Sequence, residues 1–447
     1  MTLHVDLMLK AGTVVNHDGT GVRDIAVKHG KIVAIGDMLG IVAEETRDCR
    51  NLHILPGVID SQVHFREPGL EHKEDLETGS RAAVMGGVTG VFEMPNTKPT
   101  TTTAITLADK VGRARNRMFC DFAFYVGGTK DTLADIPALE NCEGSAGIKV
   151  FAGSSTGDLL VEDDNGLEAI ISRLSRRAAF HSEDEMRLRE RVSFQVARDP
   201  ASHPVWRDVE AARLCTERLL RIARKHGKRI HVLHISTAEE LPLLAANRDI
   251  ATVEVTPHHL TLSAEDYARL DTKMQMNPPV REARHRDALW KAISSGLVDV
   301  LGSDHAPHTL EEKSKPYPQS PSGMTGVQTL VPMMLNHVNA GKLTLERFVD
   351  LTSHGPQRIF GIANKGRIAE GYDADFTIVD MKRTNTISNK WIESRSQWTP
   401  YDGIKVQGWP VGTIIRGRTV MWQGEINLSA HGQPIGFLES LNAGANT

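Results

Sequence analysis

Five side chains able to bind a metal or move a proton stand far apart in the chain: His64, Lys149, His181, His234 and Asp304. Imidazole nitrogens and carboxylates are ordinary zinc ligands. Lysine is not, because an ammonium repels a metal and burial penalises its charge. Two readings of Lys149 stay open. Its neutral amine can combine with carbon dioxide to give a carbamate anion able to bridge two metals, or its ammonium can pair with an acid such as Asp304. Gln62 and His64 are two residues apart, so on an extended chain they project from one face. Arg66 follows at the same spacing, and its planar fork suits a carboxylate; the alternative is a salt bridge to Glu67.

A buried histidine is more often structural than a ligand, so no single one of these carries a metal reading. Three at matching places, with an acid at a fourth, do. His231 and His234 have opposite strand parity, so only one is expected inside, and His234 is the nearer to a strand end. His258 and His259 read as packing or supporting groups, and His4, His17 and His431 as solvated.

The elements that must position these residues are short apolar runs alternating with helical stretches, the pattern of βαβ units and a parallel sheet. Eight runs are expected as strands, centred on Gly57–Ile59, Val88–Phe92, Phe122–Val126, Ile148–Phe151, Ala178–His181, Ile230–His234, Thr252–Val255 and Val298–Leu301. Helices are expected over Lys73–Val84, Trp206–His226 and Arg284–Ser294. An α/β fold of the (β/α)8 TIM-barrel type follows, and the candidate side chains fall at the strand ends where barrels carry chemistry. An open doubly wound sheet competes, but no glycine-rich phosphate fingerprint follows the first strand. Both chain ends read instead as strands and turns. Residues 1–55 and 362–447 are therefore expected to build one small β-sandwich domain, with the barrel over 56–361.

Bulk properties narrow the class. With 447 residues, 40% hydrophobic and 24% charged, the chain can bury a large core. A net charge of -4 argues against nucleic acid or an anionic membrane as partner. No apolar run spans a bilayer and no signal-peptide pattern opens the chain. The four scattered cysteines read as reduced thiols of a cytoplasmic protein.

The stretch Leu55-Pro-Gly-Val-Ile-Asp-Ser-Gln-Val-His-Phe-Arg-Glu-Pro-Gly69 closely resembles the dihydroorotase signature. The resemblance continues through Met94–Thr97, Ile148–Phe151, His181–Glu183, His234–Thr237, Met276–Pro279 and Asp304–His308. It covers nearly the whole chain. Dihydropyrimidinases, hydantoinases and allantoinases share the metal residues, while Arg66, Asn96 and His308 turn the resemblance towards dihydroorotases. It implies one or two zinc ions on His64, Lys149, His181, His234 and Asp304, with Lys149 carboxylated and Asp304 also shuttling the proton. Arg66, Asn96, Asn277 and His308 would bind the substrate. The implied reaction is reversible hydrolysis of dihydroorotate to N-carbamoyl-aspartate, a step of pyrimidine synthesis.

One position departs from the pattern: Gln62 stands where many members have the first histidine of His-x-His. A neutral amide is a weaker zinc ligand, so the first metal is loosely held, replaced or absent, as a subtype. The rivals are another cyclic amidase and a silent barrel kept as a partner of aspartate transcarbamoylase. The expected partners are a small-molecule substrate and a second copy of the chain in a homodimer. Leu310 to Ser322 reads as a lid or an ordinary connection.

Overall fold

The computed structural model describes residues 3–440 apart from 39, 155–158 and 428. Eight apolar runs form the parallel strands β1 (Val58–Val63), β2 (Val88–Glu93), β3 (Asp121–Gly127), β4 (Ser145–Phe151), β5 (Ala178–His181), β6 (Ile230–Val232), β7 (Ala251–Val255) and β8 (Val300–Leu301). They pair in sequence order, β1 to β8. The first and last strands then approach each other. Val63 bridges His305 in parallel, the His64 N–H donates to the His305 carbonyl over 2.7 Å, and the Ser303 N–H donates to Asp60 Oδ1 over 2.9 Å. The result is the expected (β/α)8 barrel.

Every residue of these strands is buried. That is why their sequences read as continuous apolar runs rather than alternating ones: helices cover one face and the barrel interior the other. Inside lie Ile59, Phe92, Ala123, Tyr125, Ala179 and Val300. Phe360 and Phe437 pack on Phe92, with ring centroids 5.2 and 5.6 Å away. Residues near the C-terminus thus return to the barrel, and Ile435 pairs its N–H with the Phe122 carbonyl.

The helices start where side chains can cap them. Leu76–Met85 begins after Asp75, whose carboxylate accepts the Thr78 N–H over 2.8 Å. Val209–Lys225 begins after Asp208, which accepts the Ala211 N–H over 3.0 Å, and its Ala212, Cys215, Leu219 and Ala223 face inward. Among the described residues no helix is long and apolar enough to cross a membrane.

A second sheet of nine strands joins both ends of the chain. Leu3–Asn16 pairs with Gly19–Lys28, Ile41–Asp48 and His53–Pro56. His53–Pro56 then pairs antiparallel with Phe376–Thr386, with Pro56 opposite Phe376. Between Phe376–Thr386 and the next strand, Lys405–Ile415, the chain makes an excursion closed by an Ile387 N–H to Ile404 carbonyl bond of 2.9 Å. That excursion carries Trp398 and Tyr401, both buried, to the loops of the barrel.

Candidate active site

The side chains singled out in the sequence gather at the C-terminal ends of the strands as three groups. The first is built on β1 and β8. Gln62 Nε2 donates to Asp304 Oδ1 over 3.0 Å, and His64 Nε2 lies 3.2 Å from the same oxygen. The other ring nitrogen of His64 is 2.8 Å from Asn96 Oδ1. Asn96, expected at the substrate, is thus also the partner that orients His64.

The second group ends β5 and follows β6. Nδ1 of His181 stands 3.0 Å from Nε2 of His234. On its outer side His181 donates from Nε2 to Glu183, 2.9 Å away. Burial pushes the Glu183 carboxyl up, but Arg207 and the His181 ring outweigh it and hold Glu183 well below the usual carboxylate range. A carboxylate behind the ring fixes its tautomer, leaving the Nδ1 lone pair directed at His234.

Lys149, on β4, is buried, and its ammonium feels the carboxylates of Asp304 and Glu254 and the rings of His181 and His234. Burial pulls its pKa down to about 7. The ion pair with Asp304 is not made: Nζ has no hydrogen-bond partner among the described residues, and its near neighbour is the Phe151 ring, 4.3 Å from centroid to Nζ.

The third group joins Arg66, Lys73 and His308 with the carboxylate of Glu312. Arg66 is buried and donates from Nε to the Pro307 carbonyl over 3.1 Å, and one Nη lies 3.3 Å from His308 Nε2. Burial lowers its pKa to about 10, so it stays charged at neutral pH. Lys73 Nζ is 3.1 Å from His308 Nδ1 and 3.1 Å from Glu312 Oε1, so its charge is paired, while among the described residues the Arg66 charge is not. Burial pushes the His308 imidazole down to about 3, so it stays neutral between the two cations. The salt bridge of Arg66 with Glu67 does not form, because Glu67 is taken by Arg117 at 2.7 Å and the Leu76 N–H at 3.1 Å.

Asn277 is reached through His203, whose Nε2 is 2.9 Å from Asn277 Oδ1 and 3.0 Å from the Met276 carbonyl. The Tyr317 hydroxyl lies 3.3 Å from the opposite nitrogen. Tyr317 belongs to the 310–322 segment. That segment is pinned: buried Lys313 donates to the Gln275 and Pro321 carbonyls over 3.2 and 2.8 Å, and the Ser322 carbonyl meets His308 at 3.0 Å.

Strand parity misled at one pair of residues. His231 and His234 both face inward, not one of them. His231 does so from within β6, 2.8 Å from Thr252 Oγ1. His234 lies past the strand end, and its left-handed backbone (φ 39°) brings it back to the interior. Arg66 (φ 66°) and Asp304 (φ 48°) use the same device. β1 carries a register shift between Asp60 and Val63, and Gln62 and His64 still meet the same Asp304 oxygen, as their spacing predicts. His17 and His431 are also half-buried rather than solvated: His17 stacks on His354 at 3.5 Å, and His431 reaches the Ile415 carbonyl at 3.4 Å.

Several site residues carry no sequence signal of their own, namely Arg207, His203, Trp398 and Tyr401. The Trp398 indole donates to the His308 carbonyl over 2.8 Å, and the Tyr401 hydroxyl is 2.9 Å from His258 Nδ1. Glu183 has one, the His-x-Glu spacing after His181.

The residues present fit a metal. Two ligands of a tetrahedral zinc at ~2.0–2.1 Å stand about 3.3 Å apart. The His181–His234 and His64–Asp304 separations of 3.0 and 3.2 Å are near that value, so each pair is spaced to share one ion in place of the direct contact. Among the described residues no three His, Cys, Asp or Glu side chains meet at one point; Gln62 and Lys149 are the other polar groups at the centre.

Residues 208–420 match the amidohydrolase family, and residues 52–149 match a dihydro-orotase-like family. The chain is 35% identical over 407 residues to a dihydroorotase of Methanothermobacter thermautotrophicus, covering 90% of this chain and 92% of that one. It is 38% identical over 385 residues to a dihydroorotase of Pyrococcus furiosus, covering 86% and 84%. The solved L-hydantoinase (dihydropyrimidinase) from Arthrobacter aurescens superposes with a TM-score of 0.93 at 31% identity, covering 96% and 99%. The chain therefore belongs to the amidohydrolase family, as a cyclic amide hydrolase.

Proposed function

We propose that the protein is a dihydroorotase, which hydrolyses the ring amide of dihydroorotate to N-carbamoyl-aspartate and runs the reverse closure in pyrimidine synthesis. The observation that carries this reading is the buried Arg66 guanidinium at the rim, beside His308 and Lys73. A buried cation whose carbonyl partner leaves most of its fork unused suits a substrate carboxylate. The relatives named dihydroorotases support the same substrate.

In this reading His64, Lys149, His181, His234 and Asp304 would hold zinc. Bound there, zinc polarises a carbonyl and lowers the pKa of a water to about 7. Asp304, one oxygen of which is held by Gln62 and His64, takes the proton of the attacking water and returns it to the departing amide nitrogen. Arg66, Asn96, Asn277 and His308 bind the substrate, and Asn277 presents its N–H groups because His203 occupies its oxygen. Lys149 suits carboxylation: near neutral pH much of it is the free amine, which adds carbon dioxide and releases one proton.

The likeness to L-hydantoinase favours a second reading, a hydantoinase or dihydropyrimidinase. Such substrates lack the carboxylate, which leaves Arg66 with only the Pro307 carbonyl and His308 as partners among the described residues. Steady-state hydrolysis of dihydroorotate against dihydrouracil and hydantoin, with zinc-loaded protein in bicarbonate, decides between them. Turnover of dihydroorotate alone is expected; activity only on the uncharged rings overturns the substrate.

A further inference from the structure

We infer that Gln62 makes this a one-metal site: it holds Asp304 through its amide N–H instead of ligating, and one tightly bound ion sits at His181 and His234 beside Lys149. The inference rests on the reading of this as a zinc site, narrows the five residues named above to His181, His234 and Lys149, and does not depend on the choice of substrate.

The two halves of the site are unequal. On the β1–β8 side the only ligand-type atoms brought together among the described residues are His64 Nε2 and the Asp304 carboxylate, 3.2 Å apart. Gln62 turns its nitrogen towards Asp304 at 3.0 Å, and its oxygen is buried without a hydrogen-bond partner among the described residues. Turning the amide over would set that oxygen against the carboxylate, two acceptors in contact. The arrangement is fixed from below. Asp60 Oδ1 accepts the Gln62 N–H at 3.2 Å and the Ser303 N–H at 2.9 Å, so one carboxylate cross-links the backbones that carry Gln62 and Asp304.

The supporting partners differ as well. His64 leans on the neutral amide of Asn96, whereas His181 leans on the Glu183 carboxylate, gripped by Arg207. A carboxylate behind an imidazole makes it the more basic ligand. Two imidazoles, one of them so backed, beside a lysine able to carry a carbamate offer an ion three protein ligands. The β1–β8 side offers one imidazole and one carboxylate, with the Gln62 oxygen turned away. Asp304 is then left off the metal, as a hydrogen-bonded proton carrier.

The test counts metal. Protein loaded with zinc is dialysed against a weak chelator and the zinc per chain is measured by plasma mass spectrometry. About one ion is expected in the wild-type chain and in His64→Ala, close to none in His181→Ala, and a second, dialysis-resistant ion in Gln62→His. Two ions retained by the wild-type chain, none retained, or loss of the ion in His64→Ala each overturn the inference. The wild-type count needs no substitution, so misfolding of a variant cannot hide the answer. If dihydroorotate is not turned over while the count stays at one, the proposed substrate fails and this inference stands.

Discussion

Arg207 grips Glu183 through both carboxylate oxygens, with Nε 3.1 Å from each and one Nη 2.6 Å from Oε2. Both side chains are buried, and the pair stands directly behind His181. Arg207→Met strands a buried carboxylate, and breaking a buried pair costs about 3–5 kcal/mol. Removing such outer support also weakens metal binding by roughly 10–100-fold. A lower melting temperature and a weaker zinc affinity in a competitive chelator titration are expected together. Unchanged affinity would show that Glu183 orients nothing.

Arg66→Met removes the cation at the rim. Hydrogen bonds to charged groups contribute about 1.5–3 kcal/mol, so kcat/KM for dihydroorotate should fall roughly 10- to 150-fold. Any turnover of dihydrouracil should change little. Equal losses on both substrates would place Arg66 in the scaffold of the site instead.

Asp304→Asn keeps the shape of the side chain and removes the group that moves the proton. Such groups contribute about 10²–10⁴-fold to rate, and a loss of that size in kcat is expected with the far-ultraviolet dichroism unchanged. Near-normal kcat would assign the proton transfer elsewhere.

Buried neutral histidines make the fold acid-sensitive well above the carboxylate range. Burial pushes His203 and His258 down to about 3 each. The unfolded chain protonates its histidines below about pH 6.5, while these two stay neutral in the fold. Their contribution is therefore complete above about pH 6.5 and drains as the pH falls towards 3, at roughly 1.4 kcal/mol per pH unit each. Melting temperatures measured from pH 7 to pH 5 should fall, with a shallower slope in His203→Gln. A flat profile would contradict the buried, neutral state of these rings.

The barrel was legible in the sequence because its strands are buried on both faces and so appear as unbroken apolar runs. The metal-type residues were legible because they sit where those runs stop. What the sequence hid lies in the last residue or two of each strand. Period-two reasoning assumes an extended chain, and Arg66, His234 and Asp304 leave that conformation at the point where they matter. It therefore kept only one of His231 and His234 inside. It could not show that the Gln62 amide engages Asp304, which is 242 residues away in the chain. Arg207, Trp398 and Tyr401 reach the site through tertiary contacts with no local pattern to announce them.

The join between Pro56 and Phe376 sets a timetable for making the protein. The strand His53–Pro56 leaves the ribosome about 320 residues before the strand that pairs with it. At ~5–20 residues per second the wait is on the order of 16–60 s. Only late in that wait, once His305 has been made, can the barrel close, and one edge of the terminal sheet is then still open. Trp398 and Tyr401, which hold the His308 carbonyl and the His258 ring, arrive later still. A nascent chain arrested before residue 398 would hold every metal-type side chain and still lack the supports behind two of its histidines.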